Sequence, residues 1–216
     1  MEFSPVTHVL FDMDGLILSK DLYTIAFQNL LTPYGKTYTF ELKVKLMGLQ
    51  SLETASRVID EFQLPMTVDE FVQKSAKEFE ALFPEVIEHL HRHKIPIGLA
   101  TSSSESSYLL KAARHSEIFS LFDHKTFGSS EPEVRRGKPH PDIFLVAASK
   151  FPDKPKPDKC LVFEDAVNGV AAARAAGMQV VMVPDPRLDE SCTRDATIVL
   201  KTLEYFKPEL FGLPPF

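Results

Sequence analysis

The chain has 216 residues, of which 44% are hydrophobic and 25% are charged, and its formal net charge is −6. These values fit an ordinary globular protein with one core domain and a smaller appended one. The scattered Lys and Arg residues form no run typical of nucleic-acid binding, and no apolar stretch reaches the ~20 residues that a membrane span needs.

Four short apolar runs predict strands that are buried on both faces, because they lack the alternation of half-exposed strands. These runs are residues 7–11, 95–100, 160–163 and 179–183. Helix-like stretches follow them, for example at 142–150 and 166–176. Strands that alternate with helices predict an α/β fold with a doubly wound, mainly parallel sheet and a Rossmann-like core, which binds ligands at the carboxyl ends of its strands.

The segment after the first strand has helical periodicity and no strand pattern. Its periodic stretches are residues 22–31, 52–62 and 68–82. We therefore predict an inserted all-helical cap over residues 19–84, and a catalytic core made of residues 1–18 and 85–216.

The first polar cluster is Asp12-x-Asp14-Gly15, directly after the first predicted strand. Two carboxylates this close repel each other unless a cation or a shared proton lies between them. Magnesium takes oxygen ligands, which a strand-end Asp and a neighbouring backbone carbonyl supply. Taken alone, the motif is also typical of a plain Asp-Gly turn that closes a strand.

The second and third clusters carry hydroxyls and a lysine. The second predicted strand ends in Thr101-Ser102-Ser103-Ser104, where hydroxyls and backbone N–H groups that lead into a helix form a natural phosphate cradle or a plain helix N-cap. Lys138 lies between Gly137 and Pro139, and it is either a solvated lysine or a cation directed at an anionic site.

The fourth cluster is Glu164-Asp165, at the end of the third predicted strand. Asp165 alone would serve as an N-cap, but a second acidic pair complements the first as a metal site. The four clusters together, in this order, favour phosphoryl chemistry over the four separate local explanations.

In these four clusters the sequence resembles the haloacid dehalogenase-like hydrolase superfamily. Wider stretches resemble the animal, especially insect, pseudouridine-5′-phosphatase group within it, namely Pro65 and residues 99–103, 137–139, 160–165 and 211–214. The resemblance implies that Asp12 is a nucleophile that forms an aspartyl-phosphate and that Asp14 is the general acid and base. It also implies that Thr101 and Ser102 bind the phosphoryl group and that Lys138 neutralises it.

The resemblance implies Mg²⁺ as the cofactor, held by Asp12, the Asp14 carbonyl and Asp165, with Glu164 as a further member of the site. The expected reaction is hydrolysis of a small phosphorylated metabolite, pseudouridine 5′-phosphate being the substrate that the group suggests. Another phosphosugar phosphatase, or a mutase of the β-phosphoglucomutase type, would use the same four clusters.

Two segments depart from the family pattern. The stretch Ser19-Lys20-Asp21 is shorter and differently charged, and Phe83-Pro84-Glu85 stands where relatives have roughly ten more residues, which shortens a hinge. A folded relative with impaired catalysis is therefore a third interpretation.

The remaining features predict the setting of the protein. Cys160 and Cys192 form no C-x-x-C pair and no signal-like segment precedes Val6, so we expect a reducing, cytoplasmic environment. We also expect a monomer that binds neither nucleic acid polymers nor membranes. His89 and His93 share a helical face, and a solvated helix end is favoured there over a zinc site.

Overall fold

In the computed structural model of the protein, the described residues are 3–17, 20–46, 51–82, 85–113 and 115–216. The chain divides into two compact units, residues 1–18 with 84–216, and residues 19–83. Residues 18, 19, 83 and 84 lie outside the described ranges, and with them parts of both segments that depart from the family pattern. The role of the second unit as a cap stays a prediction.

The first unit is built on a parallel sheet of six strands in the order β3-β2-β1-β4-β5-β6. The strands are β1 His8–Phe11, β2 Ile97–Thr101, β3 His124–Phe127, β4 Cys160–Glu164, β5 Gln179–Met182 and β6 Ile198–Val199. The predicted α/β fold with a parallel sheet is confirmed. The four predicted strands are β1, β2, β4 and β5, whereas β3 and β6 were not predicted.

Nine α-helices occur in the described parts of the chain. They are α1 Lys20–Leu31, α2 Phe40–Leu46, α3 Ser51–Phe62, α4 Val68–Leu82, α5 Glu85–Arg92, α6 Glu105–Ala112, α7 Ser116–Ser120, α8 Asp142–Lys150 and α9 Val167–Ala175. Helix α8 has the predicted bounds, and α9 is one residue shorter at each end. None of the helices in the described ranges is long and apolar enough to cross a membrane.

Alternate residues of the central strands face opposite sides of the sheet. Leu10 and Val162 belong to the apolar cluster that includes α8 and α9 residues. Phe11 and Phe163 alternate with them, and their rings stack with centroids 4.7 Å apart. Since both sets are buried, the strands read as continuous apolar runs, as the sequence predicted.

The strand order indicates where ligands bind on this sheet. From β1 the chain adds β2 and β3 on one side, and then returns to add β4, β5 and β6 on the other side. Ligands of doubly wound sheets bind at such a reversal, beyond the carboxyl ends of the strands. Asp12 follows β1 and Glu164 ends β4, so both lie at this position.

The second unit consists of helices α1 to α4. Its core is an apolar cluster that includes Phe27, Leu31, Leu42, Val58 and Phe71. The three periodic stretches predicted as helices are helices in the structure, whereas the seven-residue α2 was not predicted.

The expectation of a solvated end for the histidine-bearing helix is wrong for one residue. His89 is 2% exposed, its Nε2 lies 2.8 Å from the Pro214 carbonyl oxygen, and its ring packs against Phe216. The C-terminal segment covers this part of α5, a long-range contact that helical periodicity does not reveal.

Candidate active site

Asp12 lies where β1 ends, one residue past the last sheet pairing of that strand. Its backbone N–H donates to the Phe163 carbonyl of β4 at 3.0 Å, so the adjacent strand fixes its position. The residue is 6% exposed, which makes it a buried carboxylate at the edge of the sheet.

Lys138 joins the two central strand ends. Its Nζ donates to Asp12 Oδ1 at 2.5 Å, to Glu164 Oε1 at 2.6 Å and to the Ala100 carbonyl at 3.3 Å. The side chains of Lys138 and Asp12 are each 8% exposed and that of Glu164 is 1% exposed, so this is a buried ion-pair network. The ammonium group also lies 4.9 Å from the centre of the Phe144 ring.

The electrostatics reflect two buried carboxylates that share one ammonium group. Burial raises the pKa of Asp12 to about 7, the Lys138 charge opposes this, and the Glu164 and Asp14 carboxylates add to it. Burial lowers the pKa of Lys138, but Asp12 and Glu164 more than offset that effect, and its pKa lies above the ordinary value. Lys138 therefore stays charged while the ionisation of Asp12 is costly.

Asp165 brings a third carboxylate to the same place. Ligand oxygens of Asp12, Glu164 and Asp165 all lie within 4.8 Å of one another, a spacing at which one metal ion can bind all three. Burial, followed by the Asp12 charge, raises the pKa of Asp165 to about 6.

Gly15 explains how Asp165 comes so close to the first strand. A Cβ at Gly15 would lie 1.8 Å from Asp165 Oδ2, and its φ of +89° also favours glycine. The glycine of the Asp-x-Asp-Gly motif thus leaves room for the carboxylate of the fourth cluster.

Both carboxylate oxygens of Glu164 accept hydrogen bonds. Its Oε2 accepts from the backbone N–H groups of Asp165 at 3.1 Å and Ala166 at 3.2 Å, while Oε1 accepts from Lys138. A Cβ at Gly169 in α9 would lie 1.8 Å from Glu164 Oε1, so the first turn of that helix leaves space for the carboxylate.

Asp14 is more exposed and has a separate set of partners. Ser103 Oγ donates to Asp14 Oδ2 at 2.8 Å, and Thr101 Oγ1 donates to the same oxygen at the longer distance of 3.4 Å. Lys111 Nζ donates to Asp14 Oδ1 at 2.6 Å. The Ser103 backbone N–H donates to Thr101 Oγ1 at 3.1 Å, which fixes the hydroxyl at the end of β2.

The predicted residues Asp12, Asp14, Thr101, Lys138, Glu164 and Asp165 therefore meet at one edge of the sheet. Ser102 follows Thr101, but the hydrogen bond described for it is that of its carbonyl, which accepts from Ser129 Oγ.

Sequence reasoning missed Lys111, and it placed Ser103 in the phosphate cradle without predicting its hydrogen bond to Asp14. A usable signal existed for Lys111, which stands seven residues after the α6 N-cap Ser104 and so two turns along the same face. Long helical side chains point back toward the N-terminus, which here means toward the strand end.

Comparisons with known proteins show which family the chain is similar to. The family model described as haloacid dehalogenase-like hydrolase matches residues 6–177. A Drosophila melanogaster protein named "Probable pseudouridine-5′-phosphatase" is 52% identical, with 98% of this chain and 96% of the relative covered. An Arabidopsis thaliana protein named "(DL)-glycerol-3-phosphatase 2" is 43% identical over 98% of this chain and 93% of its own.

Solved structures share the fold. A HAD family hydrolase from Deinococcus radiodurans, crystallised with bound phosphate and sodium, superimposes with a TM-score of 0.62. The alignment covers 99% of this chain and 100% of that one at 24% identity, a level that speaks for the fold alone.

Proposed function

The chain belongs to the haloacid dehalogenase-like hydrolase family and is a phosphoric monoester hydrolase, and we propose that it works through an aspartyl-phosphate on Asp12. The observation that carries this proposal is the buried contact of 2.5 Å between Asp12 and Lys138. A carboxylate fixed beside a permanent cation at a strand end is suited to accept a phosphoryl group.

The proposed reaction has two displacements. In the first, an Asp12 carboxylate oxygen attacks phosphorus, the bond from phosphorus to the ester oxygen breaks, and Asp14 gives its proton to the leaving alcohol. In the second, Asp14 takes a proton from water as the water oxygen attacks phosphorus, which releases phosphate and restores Asp12. One residue can serve both steps because the second runs the proton transfer in the opposite direction.

Phosphoryl transfer needs alignment and charge neutralisation more than covalent chemistry from the protein. Lys138 supplies the fixed positive charge, and the Thr101 hydroxyl at the end of β2 supplies a hydrogen-bond donor to the phosphoryl oxygens. Ser102 would add to this cradle at the start of the turn into α6.

The residues present fit a divalent cation. The four carboxylates of the site face two ammonium groups, which leaves two formal negative charges. Asp12 and Asp165 would hold the ion with the Asp14 carbonyl, and the oxygen ligands favour magnesium. Glu164 is the weaker ligand, since both of its oxygens already accept hydrogen bonds.

When bound, Mg²⁺ would neutralise charge on the phosphoryl group and lower the pKa of Asp12, which must be ionised to attack. Burial is the main cause of the raised pKa values of Asp12 and Asp165, and neighbouring carboxylates add to it, so a bound cation would favour the ionised form of both groups.

Pseudouridine 5′-phosphate is the substrate we propose, because the Drosophila relative that bears this activity in its name is 52% identical over nearly the whole chain. The relative named as a glycerol-3-phosphatase, at 43% identity, makes a small phosphosugar or polyol phosphate the second candidate. We place the protein in the cytoplasm, in keeping with two cysteines that are both free thiols.

A phosphate-release assay with magnesium over a panel of nucleoside 5′-phosphates, sugar phosphates and polyol phosphates tests the substrate. The highest kcat/KM should belong to pseudouridine 5′-phosphate, and a preference for glycerol 3-phosphate would replace that assignment. Activity that requires a sugar bisphosphate would indicate a mutase. A chain that melts normally but turns over no substrate would be an impaired relative.

The mechanism is tested by Asp12→Asn. The matched control is Asp158→Asn, at an exposed position just before the amino end of β4. We expect the first variant to lose all measurable turnover and the second to retain wild-type rates. Unchanged turnover by Asp12→Asn would refute the aspartyl-phosphate. Removal of divalent ions by a chelator should abolish activity, and Mg²⁺ should restore it.

A further inference from the structure

The carboxylate of Asp14 is held by donors on both of its oxygens. Lys111 Nζ donates to Oδ1 at 2.6 Å and Ser103 Oγ donates to Oδ2 at 2.8 Å. Lys111 Nζ also donates to Ser103 Oγ at 3.0 Å, so the three side chains form a closed set of hydrogen bonds. This set fixes both the position and the tilt of the carboxylate plane.

Lys111 stands in the last turn of α6, a helix that begins directly after the end of β2. Its side chain is 38% exposed and that of Asp14 is 43% exposed. An ion pair this exposed contributes at most about 1 kcal/mol to stability. The contribution of this ion pair to stability is therefore too small to explain why Lys111 contacts Asp14.

The two lysines of the site serve different carboxylates. Lys138 is committed to Asp12 and Glu164. Lys111 instead contacts the carboxylate to which the proposed function assigns the proton transfers. No role for Lys111 follows from the four sequence clusters, since it lies outside all of them.

We propose that Lys111, together with Ser103, is a positioning residue that fixes the Asp14 carboxyl group, which carries the proton at this step, for proton transfer to the leaving alcohol. This inference rests on the proposed function. Proton transfer needs its donor within hydrogen-bond distance of the ester oxygen, and a displacement of about 1 Å costs on the order of a hundredfold in rate. Without Lys111, Oδ1 loses its short contact and the exposed carboxylate can adopt other rotamers.

The test compares leaving groups in the Lys111→Met variant. A phenolate such as 4-nitrophenolate leaves without a proton, whereas an alkoxide needs one. In single-turnover experiments, Lys111→Met should release the alcohol from the best alkyl phosphate of the panel about tenfold to a hundredfold more slowly than wild type. Release of 4-nitrophenol from 4-nitrophenyl phosphate in the first turnover should keep the wild-type rate.

Three further measurements make the assignment specific. The KM for the alkyl phosphate should stay near the wild-type value, because the phosphoryl contacts of Thr101 and Lys138 remain. Lys111→Arg keeps the charge and the donors, and should recover part of the lost rate. Lys156→Met, an exposed lysine before β4, is the matched control and should behave like wild type.

Two results would overturn the inference: equal first-turnover rates of Lys111→Met and wild type on both substrates, or the same loss on both. Thermal melts of the variants should match that of wild type, and Lys111→Arg provides the comparison at an unchanged charge. Failure of the proposed function is recognised separately, since Asp12→Asn would then remain active.

Discussion

Replacing Lys138 by Met tests the energetics of the buried ion-pair network. The substitution keeps most of the aliphatic chain but removes the ammonium group that contacts both Asp12 and Glu164. Removing one partner from a buried pair costs about 3–5 kcal/mol, because the remaining charge loses its compensation. For a chain of this size such a loss corresponds to a decrease in Tm of between about 6 and 20 °C.

The loss should depend on pH in a defined direction. Without Lys138 the pKa of Asp12 rises further, because the ammonium group no longer opposes the effects of burial and of the neighbouring Glu164 and Asp14 charges. The folded variant then binds protons at a pH where its unfolded chain has released them. The stability of the variant therefore falls as the pH rises from about 4 through the raised pKa of Asp12, and acidification recovers part of the loss.

The measurement is urea unfolding of Lys138→Met and wild type at pH 5 and pH 8, without divalent ions. Lys111→Met is the matched control, because its ion pair is exposed on both sides and its removal should cost at most about 1 kcal/mol. Equal unfolding midpoints for Lys138→Met and wild type at pH 8 would refute the reasoning, and so would a loss that grows at pH 5.

The remaining predictions concern a close contact, a metal ion and a half-buried histidine. Gly15→Ala should strongly reduce phosphatase activity, because its Cβ would meet Asp165 Oδ2 at 1.8 Å, whereas Gly137→Ala has open space around it and should stay active in the same assay. Magnesium at a concentration of 100 Kd should stabilise the folded wild type by about 2.7 kcal/mol and so raise its Tm. The Asp165→Asn variant should lose this effect, and an unchanged Tm of wild type would contradict the proposed site. His124 has a pKa lowered to about 4 by burial and then by Lys150, so the folded state binds fewer protons than the unfolded one between pH 6.5 and 4. Stability should therefore fall as the pH drops through this window, and urea unfolding of His124→Phe should show a smaller loss than wild type.

The central strands could be predicted because both of their faces are buried, which makes their sequences apolar throughout. The two missed strands are the edge strands, where this signal is absent. β3 has the half-polar sequence His-Lys-Thr-Phe and lies at one edge, and β6 at the other edge has only two residues, Ile198 and Val199. An edge strand has a neighbour on one side only, and so it is not required to be a long apolar run.

The site clusters could be predicted because parallel strands bring their carboxyl ends to the same edge of the sheet. Asp12 and Glu164 are 152 positions apart in the chain, yet both contact one ammonium group. Lys111 was missed because an isolated lysine in a helix is typical of a solvated surface. Its spacing from the N-cap Ser104 indicates the helix face on which it lies, but the contact with Asp14 also depends on the orientation of α6 relative to β1, which that spacing does not encode.

The division of the two lysines between buried and exposed positions follows from what each carboxylate must do. In the proposed reaction Asp12 forms a bond to phosphorus and must hold one orientation, and a partner that is 8% exposed keeps it there. Asp14 must exchange protons with a leaving alcohol and with water, so it needs access to solvent. A partner that is 38% exposed orients Asp14 without sealing it off, because a contact of this kind breaks and re-forms at little cost in free energy. A buried lysine in place of Lys111 would hold Asp14 more firmly but would also remove it from the water that the second displacement requires.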